Sequence, residues 1–459
     1  MGKVARKRII ELTRRYESTA LNTFSMGENP PLFVRGEGPF LFTEEGERFV
    51  DLIAGSAVTN LGHGLPAHRE AIARATERGI YHTGTRLAHV ERAELYDDLA
   101  SVLPESLSRF HLVSVGTEAV ETAIKAAQYH TRRPRLFAFE GGYHGRTVGA
   151  LSITHSEHLH RIFSTLKDVV TFIPYPYQAG AEAGVDEGAL MAFCLETLEQ
   201  RLVEAKAADD LPSSIILEAI QGTSGAVRPP AGFLREVRAL ADRYDVLLIV
   251  DEIWTGFGRT GKWFAFEHDG VVPDLVCLSK GLTAGLPLAG VAGREDILGA
   301  WPAGIHTSTF QGNPIACAMA RATIAEMKAK RWVEHAAGPI ANGFETRLAP
   351  LRERSAIRDA RRIHDARSIR NARRIRNARC IRDVRWVGAA AAIEFADAQD
   401  APDPATRRAV QQACFDRQLL VYGGGRHGNT IMLLPPINID VAVLDGALEQ
   451  IVDVIDSVI

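Results

Sequence analysis

Two residues stand where a sheet protein can do chemistry. In "VLLIVDEIWTGFGRTGKW" an apolar run ends in Asp251 and Glu252, and in "PDLVCLSKGLTAGLPLAG" another ends in Ser279 and Lys280. The spacing 280 − 251 = 29 residues leaves room for one crossover between neighbouring parallel strands. Both residues then reach one crevice at the carboxyl ends of those strands, where ligands bind in open α/β sheets. A lysine partly withdrawn from water loses basicity and becomes a nucleophile toward an aldehyde. A carboxylate beside it can hold a proton on a heteroaromatic nitrogen. Taken singly, such a lysine is usually a solvated charge, and such a carboxylate equally a helix cap or a metal ligand.

A phosphate seat completes one particular chemistry. In "VSVGTEAVETAIKAA", Gly116 and Thr117 open a helical stretch whose free backbone N–H groups and dipole suit an anion. In "FEGGYHGRT", Tyr143 offers a flat face to a planar ring. Each is ambiguous alone, since a Gly-Thr is also an ordinary cap and a tyrosine there is also a core residue. An aldehyde for Lys280, a ring nitrogen for Asp251 and a phosphate for the helix start are the three requirements of pyridoxal 5'-phosphate.

These residues need a scaffold, and the chain patterns one. "RLFAFEG", "SIILEAI" and "VLLIVDE" read as buried strands, and "GFLREVRALADRYD" as an amphipathic helix. The alternation from about Leu61 to Met327 predicts an α/β fold with a mostly parallel sheet and helices on both faces. Phe40 to Ile53 reads as a β-hairpin about Glu44-Glu45-Gly46, and "VAVLDGALEQIVDVIDSVI" as a C-terminal helix. Residues 1–60 are expected to join a small α+β domain with 331–459, and residues 61–330 to form the large cofactor domain. With 459 residues at 46% apolar content the chain can bury such cores.

Composition narrows the partners. A net charge of −3 gives no whole-chain reason for nucleic acid or an anionic membrane. The five cysteines (Cys194, Cys277, Cys317, Cys380, Cys414) lack metal or disulfide spacing, no metal is expected, and no run reaches membrane-spanning length. A cytoplasmic protein is the default. One tract departs from the average: between 356 and 385 a six-residue unit recurs, with Ile357, Ile363, Ile369, Ile375 and Ile381 in register. Thirteen arginines against four acids from Leu351 to Arg385 give a local +9. Without interleaved aromatics for base stacking, it reads as tandem duplication in a tolerant surface insertion, expected to be dispensable down to one copy.

The ordered set "VGTEAVETAIKAA", "GGYHGRTVGALSIT", "EAIQGTSG", "DEIWTGFGRTGKWFAFE", "LSKGLTAGLPL" and "TSTFQGNP" resembles the class III pyridoxal-phosphate-dependent aminotransferases, the 4-aminobutyrate, acetylornithine and ornithine aminotransferase group, from about Pro39 to Asp440. The resemblance implies the aspartate-aminotransferase architecture, PLP fold type I, and ping-pong transamination between an amine donor and a keto-acid acceptor. It implies that Lys280 forms the Schiff base, Asp251 pairs with the ring nitrogen, Gly116 and Thr117 hold the phosphate, Tyr143 stacks on the ring and Ile253 also contacts the cofactor. It further implies a homodimer in which Thr309 serves the partner's phosphate. Racemase or decarboxylating chemistry on the same site, and a non-catalytic relative, are the alternatives.

Four departures bear on substrate choice. Val115 stands where a serine is usual, Trp254 where a glutamine is usual, and Thr223 where a glutamate pairs in relatives with an arginine, whose place Met432 takes here. Losing both partners together avoids a stranded buried charge. Arg146 remains as a carboxylate anchor or a structural ion-pair residue, and Arg426, in the glycine-rich "YGGGRHGN", as a flexible substitute contact. A less usual amine donor and weak preference for 2-oxoglutarate are expected.

Overall fold

The computed structural model describes residues 3–21, 23, 27, 30–163, 165, 167–177, 185–363 and 380–459. Near the N-terminus, β1 (Phe33–Glu37), β2 (Phe40–Thr43) and β3 (Arg48–Asp51) form an antiparallel meander, with the β2–β3 pair as the expected hairpin. The central sheet contains β4 (Arg109–Val113), β5 (Leu136–Phe139), β6 (Val170–Ile173), β7 (Ser214–Leu217), β8 (Leu247–Asp251), β9 (Leu275–Leu278) and β10 (Ala289–Gly293), in the order β4-β10-β9-β8-β7-β5-β6. Its strands are parallel except β10, which runs against both β4 and β9.

Why these runs become central strands is visible in their two-residue period. Leu248 and Val250 of β8 enter one apolar cluster with Phe137, Phe139, Ile215 and Leu217; Leu247 and Ile249 enter the other with Leu136, Ala138 and Ile216. A strand buried on both faces must be apolar along its length, and β9 is so throughout and β8 up to Asp251 at its carboxyl end. Helices cover the sheet; the amphipathic helix Phe233–Arg243 buries Phe233, Leu234, Val237, Leu240 and Ala241, a stripe of helical spacing.

The C-terminal region folds around a second sheet of β11 (Ile381–Val387), β12 (Ala390–Phe395), β14 (Tyr422–Gly424) and β15 (Thr430–Leu433). Between them, β13 (Leu419–Leu420) pairs in parallel with β3, matching Leu419 to Val50, so the two chain ends share one sheet. Two long helices, Ala341–Ile363 and Val441–Val458, flank this region and are tied by Arg347, whose Nε and Nη2 donate to the Asp445 carboxylate at 2.5 and 2.6 Å.

The reading of 356–385 as a surface insertion is corrected at its C-terminal end. Ile357 and Ile363 belong to the helix ending at Ile363, and the last copy, 381–385, is most of β11. Ile381 and Val384 are fully buried there. Periodicity marks the copies as alike, and the last one has a partner strand, β12, against which it is buried. The copies over 364–379 lie outside the described residues.

Candidate active site

Strand register brings the two chemical residues together. Asp251 pairs with Cys277 across β8 and β9, and Lys280 stands three residues after Cys277, two past the end of β9. Lys280 has φ +40, a left-handed backbone that costs a non-glycine residue about 1 kcal/mol. Burial lowers the Lys280 amine below the ordinary lysine range, with Arg259 acting the same way and Glu218 and Asp251 opposing. The sheet edge thus supplies an amine biased toward its neutral, nucleophilic form.

Asp251 is buried and held on both oxygens. Oδ1 accepts the Ile253 N–H at 3.0 Å, and Oδ2 accepts Nδ1–H of His144 at 2.8 Å. Burial works against a charged His144 ring, but the hydrogen bond and charge of Asp251, with help from Glu218, prevail and raise its pKa. The other ring nitrogen, Nε2, is buried without a partner among the described residues. In the sequence the signal for His144 is its place directly after Tyr143.

Gly116 and Thr117 begin the helix Gly116–Thr131, as expected. A Cβ on Gly116 would come within 3.0 Å of Ile253, and one on Gly145 within 2.3 Å of the Thr117 hydroxyl, so small residues shape this corner. Thr117 Oγ1 lies 2.8 Å from Thr147 Oγ1, which in turn donates to Glu121 at 2.7 Å. Glu121 also accepts the N–H groups of Gly149 and Ala150 at 2.9 and 3.1 Å.

Glu218, at the end of β7, went unassigned in the sequence although it opens "EAIQGTSG". It is buried, with Oε1 accepting the Tyr143 N–H and Oε2 the Gly222 N–H, each at 2.8 Å. Burial pushes its carboxyl up to about 7, with Asp251 adding to the rise and His144 opposing it. Tyr143 therefore sits on a turn anchored from beneath by a titratable group.

The remaining candidates are placed less centrally. Thr309 lies on the exposed loop before the helix Pro314–Lys330, and Arg146 is exposed with no hydrogen bond or ion pair among the described residues. Arg426 is not the flexible contact expected from its glycines. It is part-buried, donates from Nη2 to Glu140 O at 3.0 Å and to Gln221 Oε1 at 3.3 Å, and lies 4.7 Å over the Tyr177 ring. Glycines that read as freedom instead give a hairpin tip that docks. Met432 is buried in the core and Thr223 uses its carbonyl to accept from Gly425, so neither position holds a charge. Among the described residues no cluster of metal ligands is present.

A lysine biased toward neutrality, a buried aspartate braced by histidine, and a helix start cleared of side chains by glycines match the three functional ends of pyridoxal phosphate. The chain matches the family model described as "Aminotransferase class-III" over residues 24–364. It is 40% identical over 304 residues to an acetylornithine aminotransferase of Methanopyrus kandleri, covering 66% of this chain and 72% of that one. It is 30% identical to an alanine/serine racemase of Pyrococcus horikoshii, covering 97% and 89% respectively. The solved structure of an (S)-enantioselective omega-transaminase from Thermomicrobium roseum superimposes with a TM-score of 0.84 at 27% identity, over 99% of this chain and 98% of that one. The chain belongs to the class III aminotransferases, PLP-dependent enzymes of fold type I that move an amino group from an amine or amino-acid donor to a carbonyl acceptor.

Proposed function

We propose that Lys280 and Asp251 are the catalytic pair, that Gly116, Thr117, Tyr143, Ile253 and, from a second copy, Thr309 complete the cofactor site, and that residues 61–330 are the cofactor-binding unit. The observation that carries this reading is the Asp251–Cys277 register, which sets a buried carboxylate and a depressed lysine side by side at one sheet edge.

Pyridoxal phosphate, when bound, supplies an aldehyde that a substrate amine can condense with and a ring that takes up electrons released at the substrate carbon. Lys280 is its point of covalent attachment and, once displaced by substrate, a general base that moves a proton at the reacting carbon. Its lowered pKa leaves a neutral amine available for that task. Asp251 holds a proton on the ring nitrogen, and His144 fixes the aspartate's orientation through the 2.8 Å bond. The first-turn amides of Gly116–Thr131 and the Thr117 hydroxyl receive the phosphate. Tyr143 covers the ring, and Arg146, exposed and unpaired among the described residues, meets a substrate carboxylate.

A homodimer is supported by apolar side chains left uncovered. Val115, Val148, Tyr81 and Phe310 are 44%, 59%, 61% and 68% exposed, and Phe310 is the neighbour of Thr309. A cytoplasmic setting is supported by five free cysteines, and no helix among the described residues is long and apolar enough to cross a membrane.

Incubating the loaded enzyme with single amine donors and no acceptor tests the reading. A carbonyl product, followed by amino transfer on adding pyruvate or 2-oxoglutarate, is the expected result, with 2-oxoglutarate the poorer acceptor. A D-amino acid or carbon dioxide without carbonyl product would overturn it.

A further inference from the structure

We propose that Arg426 is a positioning residue for Tyr143, a strut from the β14–β15 hairpin onto the turn that presents the ring-covering side, and not a substrate-carboxylate anchor. The proposal rests on the reading that Tyr143 covers the cofactor ring.

The turn after β5 is held at nearly every backbone group it offers. The Glu140 carbonyl accepts from Gln221 Nε2 at 2.7 Å and from Arg426 Nη2 at 3.0 Å. The Gly141 carbonyl accepts from Ser224 Oγ at 2.5 Å, and the Tyr143 N–H donates to Glu218 Oε1 at 2.8 Å. Three of these four partners come from one segment, 218–224. The fourth, Arg426, comes from the other end of the chain and is the only one that links the turn to the C-terminal sheet.

The arginine's own surroundings favour this role. Its guanidinium is part-buried and forms no ion pair among the described residues; its partners are a carbonyl, an amide oxygen and the Tyr177 ring. Burial lowers its pKa, so the seat costs free energy that only its attachments offset. A carboxylate grips arginine best through two parallel N–H groups. Here Nη2 is committed to Glu140 and Gln221, and Nε is buried and unreachable, so the Nε–Nη2 edge is closed to an incoming ligand. The approach is also built in on the other side. Gly141 has φ +79, and a Cβ there would lie 2.3 Å from Arg426 Nη2 and 2.6 Å from Gln221 Oε1.

The test compares Arg426→Gln, Arg426→Lys, Tyr143→Ala and the Arg426→Gln/Tyr143→Ala pair as loaded enzymes. Cofactor affinity, visible circular dichroism of the bound cofactor, and KM for pyruvate, 2-oxoglutarate and a carboxylate-free amine are measured for each, with thermal unfolding as the check on folding. Arg426→Gln should weaken cofactor binding about tenfold and reduce the visible signal, as loss of one charge-assisted bond does. Arg426→Lys should fall between it and the wild type, and the double variant should be no worse than Tyr143→Ala. kcat should fall by a similar factor with every substrate. A rise in KM confined to 2-oxoglutarate, with cofactor affinity and signal unchanged, would make Arg426 a substrate anchor and overturn the proposal. If Tyr143→Ala changes the signal and Arg426→Gln does not, the strut is wrong while the role of Tyr143 stands. If neither changes it, the role of Tyr143 fails and takes the strut with it.

Discussion

Glu218 and Glu394 are two glutamates buried to nearly the same degree, 4% and 0% exposed, and they are displaced in opposite directions. Glu218 is pushed up to about 7 by burial, which its two backbone N–H partners and His144 only partly offset. Glu394 pays the same desolvation but ends below the usual carboxylate range. Its partners are Arg385 Nη1 at 3.0 Å, Arg382 Nη1 at 3.8 Å and the Tyr177 hydroxyl. Burial sets the cost, and the neighbours decide the charge state. Beside Lys280 and Asp251, the proposed catalytic pair, the carboxyl is left near its titration point. Between β12 and the central domain it is locked as an anion, where the fold needs a joint.

The comparison is broken most forcefully at the lysine. Lys280→Ala should lower turnover about 10³-fold or more while leaving the unfolding midpoint within experimental scatter, because in the proposed role the residue touches the reacting atoms and not the joint. Retention of full activity under saturating amine would remove the assignment. On the other side, Arg385→Ala should leave Glu394 buried and under-paired, destabilising the fold by about 3–5 kcal/mol in denaturant titrations. Replacing both partners, Arg385→Met with Glu394→Met, should recover much of that loss. A double variant as unstable as the single one would mean the network is held by packing and not by charge.

A third test uses the signs of the two shifts. Glu218 has a folded pKa of about 7 against an ordinary 4.5, so its contribution to stability is complete below 4.5 and is lost as pH rises through 7. The loss is on the order of 3 kcal/mol at most. Glu394, depressed, contributes above the ordinary value and loses its contribution as the solution is acidified. Stability measured from pH 4 to 8 should therefore flatten at its neutral end in Glu218→Gln and at its acid end in Glu394→Gln. Identical curves for the two variants would refute the contrast.

How far this contrast was legible in sequence depends on how local each signal is. The strand-end positions of Lys280 and Asp251 were readable because a buried parallel strand is an apolar run, and its carboxyl end is a fixed place for ligands. The central sheet was readable for the same reason. His144 and Glu218 were not, since each acts through a contact 107 or 75 residues away, to Asp251 and Tyr143 respectively. The docking of Arg426 was not legible either, because three glycines suggest mobility until a specific docking site is known. β10 carried no sign of its reversal, since in Ala289–Gly293 Val291 alone is larger than alanine and a single side chain sets no strand direction.

The smallest expected effect tests the same contrast within a single repeated sequence. Arg385 and the arginines at the fifth position of the earlier copies, 361, 367, 373 and 379, occupy equivalent places in the repeat. The last copy lies in a strand, where Arg385 donates from Nε to Gly225 O at 2.7 Å and pairs with Asp383 and Glu394. Ile381 and Val384 beside it are buried, and Val384 is the larger residue where the earlier copies carry alanine. If partners and not composition give an arginine its energetic weight, deleting residues 363–380, which joins Arg362 directly to Ile381, should change neither kcat nor the unfolding midpoint beyond about 0.5 kcal/mol. Arg385→Ala in the shortened chain should still cost as much as in the full one. A large loss of activity on deletion, with folding preserved, would assign the earlier copies a role of their own. Full tolerance of Arg385→Ala in the intact chain, abolished by the deletion, would show instead that a preceding copy can take the place of the last in β11.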